Sequence, residues 1–314
     1  GDDWERVGDD ATLINPSFIS PDGGVESDGG TAPIWMRLTG DGWRMRNFVI
    51  DVQGSPRIPI GGGNWRIENL YCDGTFEDTG RGFCFLPDAD PGTTGVMDNI
   101  LFPDGVIEAP NESQHAFLWC GNNQGHLILR RLFVRHSAEN TIYAEAQKGE
   151  LTLENSIFEN NNVGIRLGGN ETVRNVRWII DGDIPDQGGA GGAGGKVGRF
   201  VWFAGNRPYS RGKTRIVNCD VQLKGPYADA FIVGQRSFDG VIVENTRVDC
   251  TDGRGVVLHN NTIEADNLDL IGGNISAGGG YVRDSCVTGR IRGPRVENTR
   301  GASCDPPVLS GPLG

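Results

Sequence analysis

The stretch "ELTLENSIFENNNVGIRLGGN", residues 150–170, carries the pattern that decides the fold. Apolar residues alternate around Leu151, Asn155 follows, and a second alternation at Ile165 and Leu167 ends in Gly-Gly-Asn. Alternation with a period of two is typical of β-strands that bury one face. Glycine and asparagine are the residues that best tolerate tight turns. The stretch therefore predicts very short strands separated by turns.

The first half of this pattern recurs along the chain with an Asn at the equivalent place, at Asn47, Asn69, Asn99, Asn155, Asn175, Asn218 and Asn245. In two further copies Arg131 and Asp284 take that place. The second half recurs in segments such as "RIPIGGGN" (57–64) and "VWFAGN" (201–206). Because the glycines recur and no G-x-x-x-x-G-K-[ST] sequence is present, we interpret them as turn residues and not as a phosphate-binding loop.

Repeats of this kind predict an all-β solenoid with three very short strands in each coil. Such strands form no stable sheet alone, but stacked coils bury a continuous core, and each strand pairs with its equivalent in the next coil. An Asn at a turn tolerates a left-handed backbone, and its amide can bond the Asn of a neighbouring coil. We therefore predict an Asn ladder inside the stack. Leucine-rich repeats, propellers and sandwiches fit this pattern less well.

This pattern resembles the right-handed parallel β-helix of the pectin-lyase-like superfamily, over residues 34–290. The resemblance implies about ten coils, with residues 1–33 as a cap on the first coil and residues 291–314 as a tail or cap on the last. It also implies that the Asn ladder lies between the second and third sheets. In enzymes of this superfamily the substrate lies in a groove along the first sheet, which here is the strand before Gly-Gly-Asn.

Composition limits the classes of function. The 314 residues carry a net charge of −12, which disfavours nucleic-acid binding because that requires basic surface. Only 4 of the 29 basic residues are Lys, and Asp outnumbers Glu by 26 to 15. A halophilic source and a GC-rich genome explain this equally well. Since no apolar run approaches the ~20 residues that cross a bilayer, no membrane span is predicted.

The seven cysteines include no C-x-x-C pair, so a thiolate zinc site is not expected. Cys304 lies in a Pro- and Gly-rich tail, and a disulfide to Cys286 would fix this tail to the last repeat. We predict this bridge. No metal site is predicted, although acidic turns such as "DGDIPD" (181–186) leave Ca²⁺ open as a ligand.

The candidate site lies on the outer face of the first sheet. If Ile165 and Leu167 point inward, Arg166 points outward, and the same register turns Tyr143 and Trp202 outward. Aromatic rings beside an arginine can stack on sugar rings and pair with carboxylates. The catalytic candidates are Glu145, Arg166 and Asp252, and the substrate-binding candidates are Tyr143, Trp202 and His259.

Two functions stay open. The same register places Leu118, Ile232 and Val257 on the outer face, and these apolar residues favour a surface that is covered. We therefore predict first an extracellular, cell-surface or virion structural or adhesive protein, such as a viral fibre module. It would contact polysaccharides or neighbouring subunits, as a homo-oligomer or filament. The alternative is a polysaccharide lyase or glycoside hydrolase. The superfamily's catalytic motifs are incomplete: in "RGPRVENTR" (292–300), Glu297 replaces the second Arg of R-x-P-x-x-R.

Overall fold

The chain forms a parallel β-helix in which two long sheets enclose one apolar core. The structure, a computed structural model, describes residues 5–7, 12–14, 17–18, 24–25, 31–32, 36–52, 58–77, 83–107, 116–185, 195–203, 212–235, 238–301 and 304. Within these ranges every regular element is a strand. The described part of the chain therefore offers no helix that could cross a membrane.

The first sheet has 12 strands, each paired in parallel with its equivalent in the next coil. Ten of them lie within residues 34–290, which matches the predicted number of coils. The strands are Glu5–Val7, Met36–Leu38, Ile58–Ile60, Phe83–Pro87, Ala116–Trp119, Asn140–Tyr143, Val163–Leu167, Gly198–Phe203, Ala228–Gly234, Gly255–Val257, Asn274–Ser276 and Ile291–Arg292.

The second sheet has 15 strands, and most of them are longer. They are Thr12–Ile14, Ser17–Phe18, Arg44–Asp51, Arg66–Asp73, Thr94–Phe102, His126–Arg135, Glu150–Glu159, Glu171–Ile180, Thr214–Val217, Asp220–Leu223, Val241–Asp249, Thr262–Ile271, Gly279–Arg283, Cys286–Val287 and Arg295–Glu297. Two short pairs complete the described strands, Phe76–Glu77 with Val106–Ile107 and Gly24–Val25 with Thr31–Ala32.

Most coils contain one short and one long strand, where three short strands were predicted. The predicted second and third strands merge because the ladder residue bends the chain without ending it. Asn99, for example, lies within Thr94–Phe102 and has a φ of 59°. A single left-handed residue redirects a strand, and Asn adopts this conformation more readily than most other residues.

The ladder itself is present. Asn69 donates to Asn47 at 2.6 Å, Asn99 to Asn69 at 2.9 Å, and Asn175 to Asn155 at 2.9 Å. We expected these bonds inside the stack, but they are exposed to solvent. The bend at each Asn directs its side chain outward. At the ladder position, this backbone conformation is adopted by the predicted Asn47, Asn69, Asn99, Asn155, Asn175, Asn218 and Asn245, the substitutes Arg131 and Asp284, and the unpredicted Asn267 and Asn298.

Inward side chains from both sheets fill a continuous core. Aromatic rings contact each other from coil to coil: the ring centroids are 5.6 Å apart for Trp43 and Trp65, and 5.8 Å apart for Phe200 and Phe231. Neighbouring strands lie about 4.8 Å apart, so equivalent inward rings must touch. Their contact helps to keep successive coils in register.

Parallel pairing extends beyond both ends of the predicted range 34–290. Glu5 pairs with Met36 at the start, and Arg283 pairs with Glu297 at the end. A disulfide joins Cys286 to Cys304, the pair named from the sequence, with Cα atoms 5.8 Å apart. The free thiols are buried, at Cys72, Cys84, Cys120, Cys219 and Cys250. Burial raises the pKa of each, which makes these thiols poor nucleophiles.

Candidate functional site

Strand register brings three of the predicted residues into one outward column. Tyr143 pairs with Arg166 across neighbouring strands of the first sheet, and Arg166 pairs with Trp202. Each of these strands contributes an outward side chain between inward apolar ones, as in the inward Ile165 and Leu167. The three side chains therefore occupy successive coils, as predicted from the alternation.

The guanidinium of Arg166 lies between two aromatic rings. Its Cζ atom is 4.5 Å from the ring centroid of Tyr143 and 4.6 Å from that of Trp202, which are cation–π distances. Its Nε atom forms an ion pair with Glu145, and Tyr143 donates its hydroxyl to the same carboxylate at 3.2 Å. We call Tyr143, Glu145, Arg166 and Trp202 the Arg166 cluster.

Burial governs the electrostatics of this cluster. The side chains of Arg166 and Glu145 are 9% and 3% exposed, so their charges compensate each other away from water. Burial raises the pKa of Tyr143 above its usual range; Arg166 opposes this shift, and the carboxylates of Glu145 and Glu139 add to it. Since both faces of the guanidinium contact rings and its Nε contacts a carboxylate, Arg166 is held in place rather than available as a base.

A second set of charges continues the cluster along the sheet. The Cζ atom of Arg199 is 5.5 Å from the ring centroid of Trp202, and Arg199 pairs with Asp229. Asp229 also accepts a hydrogen bond from Arg254 at 2.7 Å. Trp202 therefore contacts two arginines, and each of these arginines is paired with a carboxylate. The sequence did not show that Arg199, Asp229 and Arg254 meet, because they are far apart in the chain.

Asn140 lies on the same strand as Tyr143 and is completely buried. Neither polar atom of its side-chain amide has a hydrogen-bond partner among the described residues, and the same holds for Nε1 of Trp202. Buried polar groups are normally bonded. Asn140 has the inward register of Ile142, so its amide is an unsatisfied group of the interior, whereas Nε1 of Trp202 leaves unused hydrogen-bonding capacity within the Arg166 cluster.

The expected outward positions of Leu118 and Ile232 are wrong. Both side chains are fully buried, and Leu118 pairs with Ile142, an inward residue. Trp119 occupies the outward column instead, because it pairs with Tyr143. The cause is a pair of consecutive buried residues, such as Phe117 and Leu118, which breaks simple alternation. Counting back two residues from the following glycine finds the correct position at both Arg166 and Trp119.

Asp252 and His259 are not part of the Arg166 cluster. The strand Gly255–Val257 between them comes four strands after Asn140–Tyr143 in the first sheet, which at about 4.8 Å per strand is a separation of roughly 19 Å. Asp252 accepts a hydrogen bond from the Gly225 N–H at 2.8 Å, and His259 is an exposed turn residue with a φ of 46°. Both residues serve turns at the other end of the predicted groove.

The Gly-Gly-Asn turn in the opening stretch binds the carboxylate of Glu171. The N–H of Gly169 donates to this carboxylate at 2.9 Å and that of Gly168 at 3.1 Å, while Gln147 and Thr214 donate at 3.2 and 2.6 Å. Burial raises the pKa of Glu171, and these hydrogen bonds oppose the shift. Because the chain's own carboxylate occupies the glycine amides, the turn does not offer them to a phosphate.

The acidic turn considered for Ca²⁺ is engaged in an ion pair. Asp183 contacts the ammonium of Lys196 at 2.6 Å. Across the described ranges no group of three His, Cys, Asp or Glu side chains is arranged to hold a metal ion.

Comparison with models of protein families, with characterised proteins and with solved structures found no significant match. The parallel β-helix therefore rests on the strand pairing, and any function has to be argued from the chain's own residues.

Proposed function

We propose that this chain is an extracellular or virion-surface structural and adhesive protein that contacts a glycan through the outer face of its first sheet. The observation that carries the proposal is the row of half-buried rings at Trp119, Tyr143 and Trp202, in register around Arg166. Aromatic rings held at fixed spacing suit stacking on sugar rings. Parallel coils and the exposed Asn ladder also support membership of the pectin-lyase-like superfamily, as part of this proposal.

The state of Arg166 favours adhesion over catalysis. A lyase needs a group that can take a proton from the substrate, whereas this guanidinium is stacked on both faces and paired with Glu145. Breaking the pair would leave a buried charge without compensation. A rigid, electrically balanced surface is suited to binding without turnover.

One observation favours the alternative, a glycoside hydrolase or polysaccharide lyase. Glu139 and Glu145 are both buried and flank the strand Asn140–Tyr143, and Glu145 accepts a hydrogen bond from the hydroxyl of Tyr143. Most glycoside hydrolases use a pair of carboxyl groups as their catalytic residues. In this alternative Glu145 would act as one of that pair.

A glycan array separates these functions. We expect the wild-type chain to retain at least one polysaccharide, and Trp119→Ala to weaken retention roughly twofold to tenfold through lost stacking. The matched control is Tyr71→Ala, an exposed aromatic residue on the second sheet. Release of reducing ends or unsaturated product that Glu145→Gln abolishes would instead support the enzyme. If no glycan is retained, or if Tyr71→Ala has the same effect, the proposed site is wrong.

A further inference from the structure

Three arginines of the second sheet converge on one buried carboxylate. Asp98, whose side chain is fully buried, accepts hydrogen bonds from Arg130 Nη2 at 2.6 Å, from Arg131 Nε at 2.6 Å and from Arg66 Nη2 at 3.2 Å. Two further arginines adjoin this group, since Arg44 pairs with Arg66 along the sheet and Arg46 with Glu68. We call Arg44, Arg46, Arg66, Arg130 and Arg131 the arginine patch.

The arginine patch carries more positive charge than its carboxylates compensate. Its five arginines adjoin three acids, Asp98, Glu68 and Glu154, in a chain whose net charge is −12. Elsewhere on the outer face of this sheet, carboxylates match or outnumber the arginines that they contact, as in Glu244 with Arg215 and in Asp266 and Asp284 with Arg283. Stacking of the coils therefore does not require the excess positive charge of the arginine patch.

Arg131 provides an independent reason to regard this patch as functional. It occupies the ladder position between Asn99 and Asn155, and its backbone has a φ of 52°. Asn favours this left-handed conformation and would extend the ladder, whereas a long side chain without a local hydrogen bond disfavours it. Backbone strain of this kind concentrates at functional sites. The strain here places a guanidinium, 54% exposed, at the edge of the patch.

We propose that the arginine patch binds an acidic polysaccharide, one that carries carboxylate or sulfate groups. Guanidinium groups form bidentate hydrogen bonds with such oxyanions. The patch extends over the strands from Arg44–Asp51 to His126–Arg135, three strand spacings or roughly 14 Å, so an extended chain along the helix axis can contact several arginines together. This surface is separate from the aromatic row of the first sheet.

Affinity measurements by isothermal titration at low salt test the proposal. The probes are polygalacturonate and dextran sulfate, with neutral dextran and duplex DNA for comparison. We expect both acidic polysaccharides to bind and Arg131→Asn to weaken binding roughly threefold to tenfold, with a smaller dependence on salt. The same substitution completes the ladder, and Arg130 and Arg66 still compensate Asp98, so we expect the variant to stay folded. Circular dichroism and the unfolding midpoint of the free variant separate lost binding from misfolding.

The matched control is Arg283→Gln, which removes an arginine from a place in the same column where two carboxylates compensate it. The proposal is overturned if Arg283→Gln weakens binding as much as Arg131→Asn, or if Arg131→Asn leaves the affinity unchanged. It is also overturned if neutral dextran binds as tightly as the acidic polysaccharides, or if DNA binds more tightly. Trp119→Ala distinguishes this surface from the first-sheet site. If Trp119→Ala leaves acidic polysaccharide binding intact while Arg131→Asn weakens it, the arginine patch stands without the function proposed above.

Discussion

Replacing Glu145 by Ala is expected to destabilise the protein strongly, because it leaves the guanidinium of Arg166 buried without its carboxylate. Both side chains are at least nine-tenths buried. Removing one partner of a buried ion pair costs about 3–5 kcal/mol of unfolding free energy. Arg166→Met should cost at least as much, since it strands Glu145 and also removes two cation–π contacts, with Tyr143 and Trp202.

The double variant Glu145→Leu/Arg166→Met separates the ion pair from packing. Replacing a buried pair by apolar side chains of similar volume is often neutral, so the double variant should be more stable than either single variant. Urea unfolding, followed by tryptophan fluorescence and circular dichroism with coincident transitions, measures the difference. Arg283→Met, in an exposed pair, is the control and should cost less than about 1 kcal/mol. The reasoning is refuted if the double variant loses as much unfolding free energy as the two single variants together. It is also refuted if either single variant loses no more than Arg283→Met.

Three further predictions concern stability. Asn175→Ala should lower the unfolding free energy by about 2 kcal/mol, and Asn175→Gly by about 1 kcal/mol. Gly adopts the left-handed backbone easily and loses only the amide hydrogen bond, whereas Ala also strains the backbone. Equal losses of unfolding free energy in urea titrations would contradict this. Cys304→Ser should lower the unfolding free energy by about 3 kcal/mol, because it opens a disulfide loop of about 18 residues. Reductant should lower the thermal midpoint of the wild-type chain and have no effect on that of the variant. Burial and the neighbouring charge of Asp90 raise the pKa of Asp88 to about 6, and Arg37 opposes this shift more weakly. The stability that its protonated form contributes is present at pH 3.8 and lost as the pH rises through about 6, so Asp88→Asn should flatten the urea midpoint between pH 4 and 7.

The fold could be predicted from the sequence because the bend in each long strand restricts which residue can occupy it. A left-handed backbone in the middle of a strand restricts the residue to Asn and a few substitutes, and Asn47 through Asn245 show this at equivalent places. The end strands were missed because they are very short. Glu5–Val7 has only three residues, too few for alternation to stand out.

The site was readable only in part. Alternation found Arg166 and Tyr143, but it failed at Leu118, where two consecutive residues are buried and the pattern shifts by one. The sequence also shows that Glu145 and Arg166 are charged without showing that they neutralise each other in the interior. That depends on how close their coils lie, and chain spacing does not give this distance. The same limit hid the convergence of arginines on Asp98.

The ladder has a consequence for how this protein can change length. Asn298 and Asp284 are 14 residues apart in the chain, and Asn99 and Asn69 are 30 apart, yet each pair is joined by a side-chain hydrogen bond of about 3 Å. Extra residues therefore widen the cross-section of one coil and leave the rise along the axis unchanged. Peptides grafted between the end of a long strand and the start of the next short strand should alter the sides of the rod while preserving its length, so such a solenoid can gain new binding loops without being rebuilt.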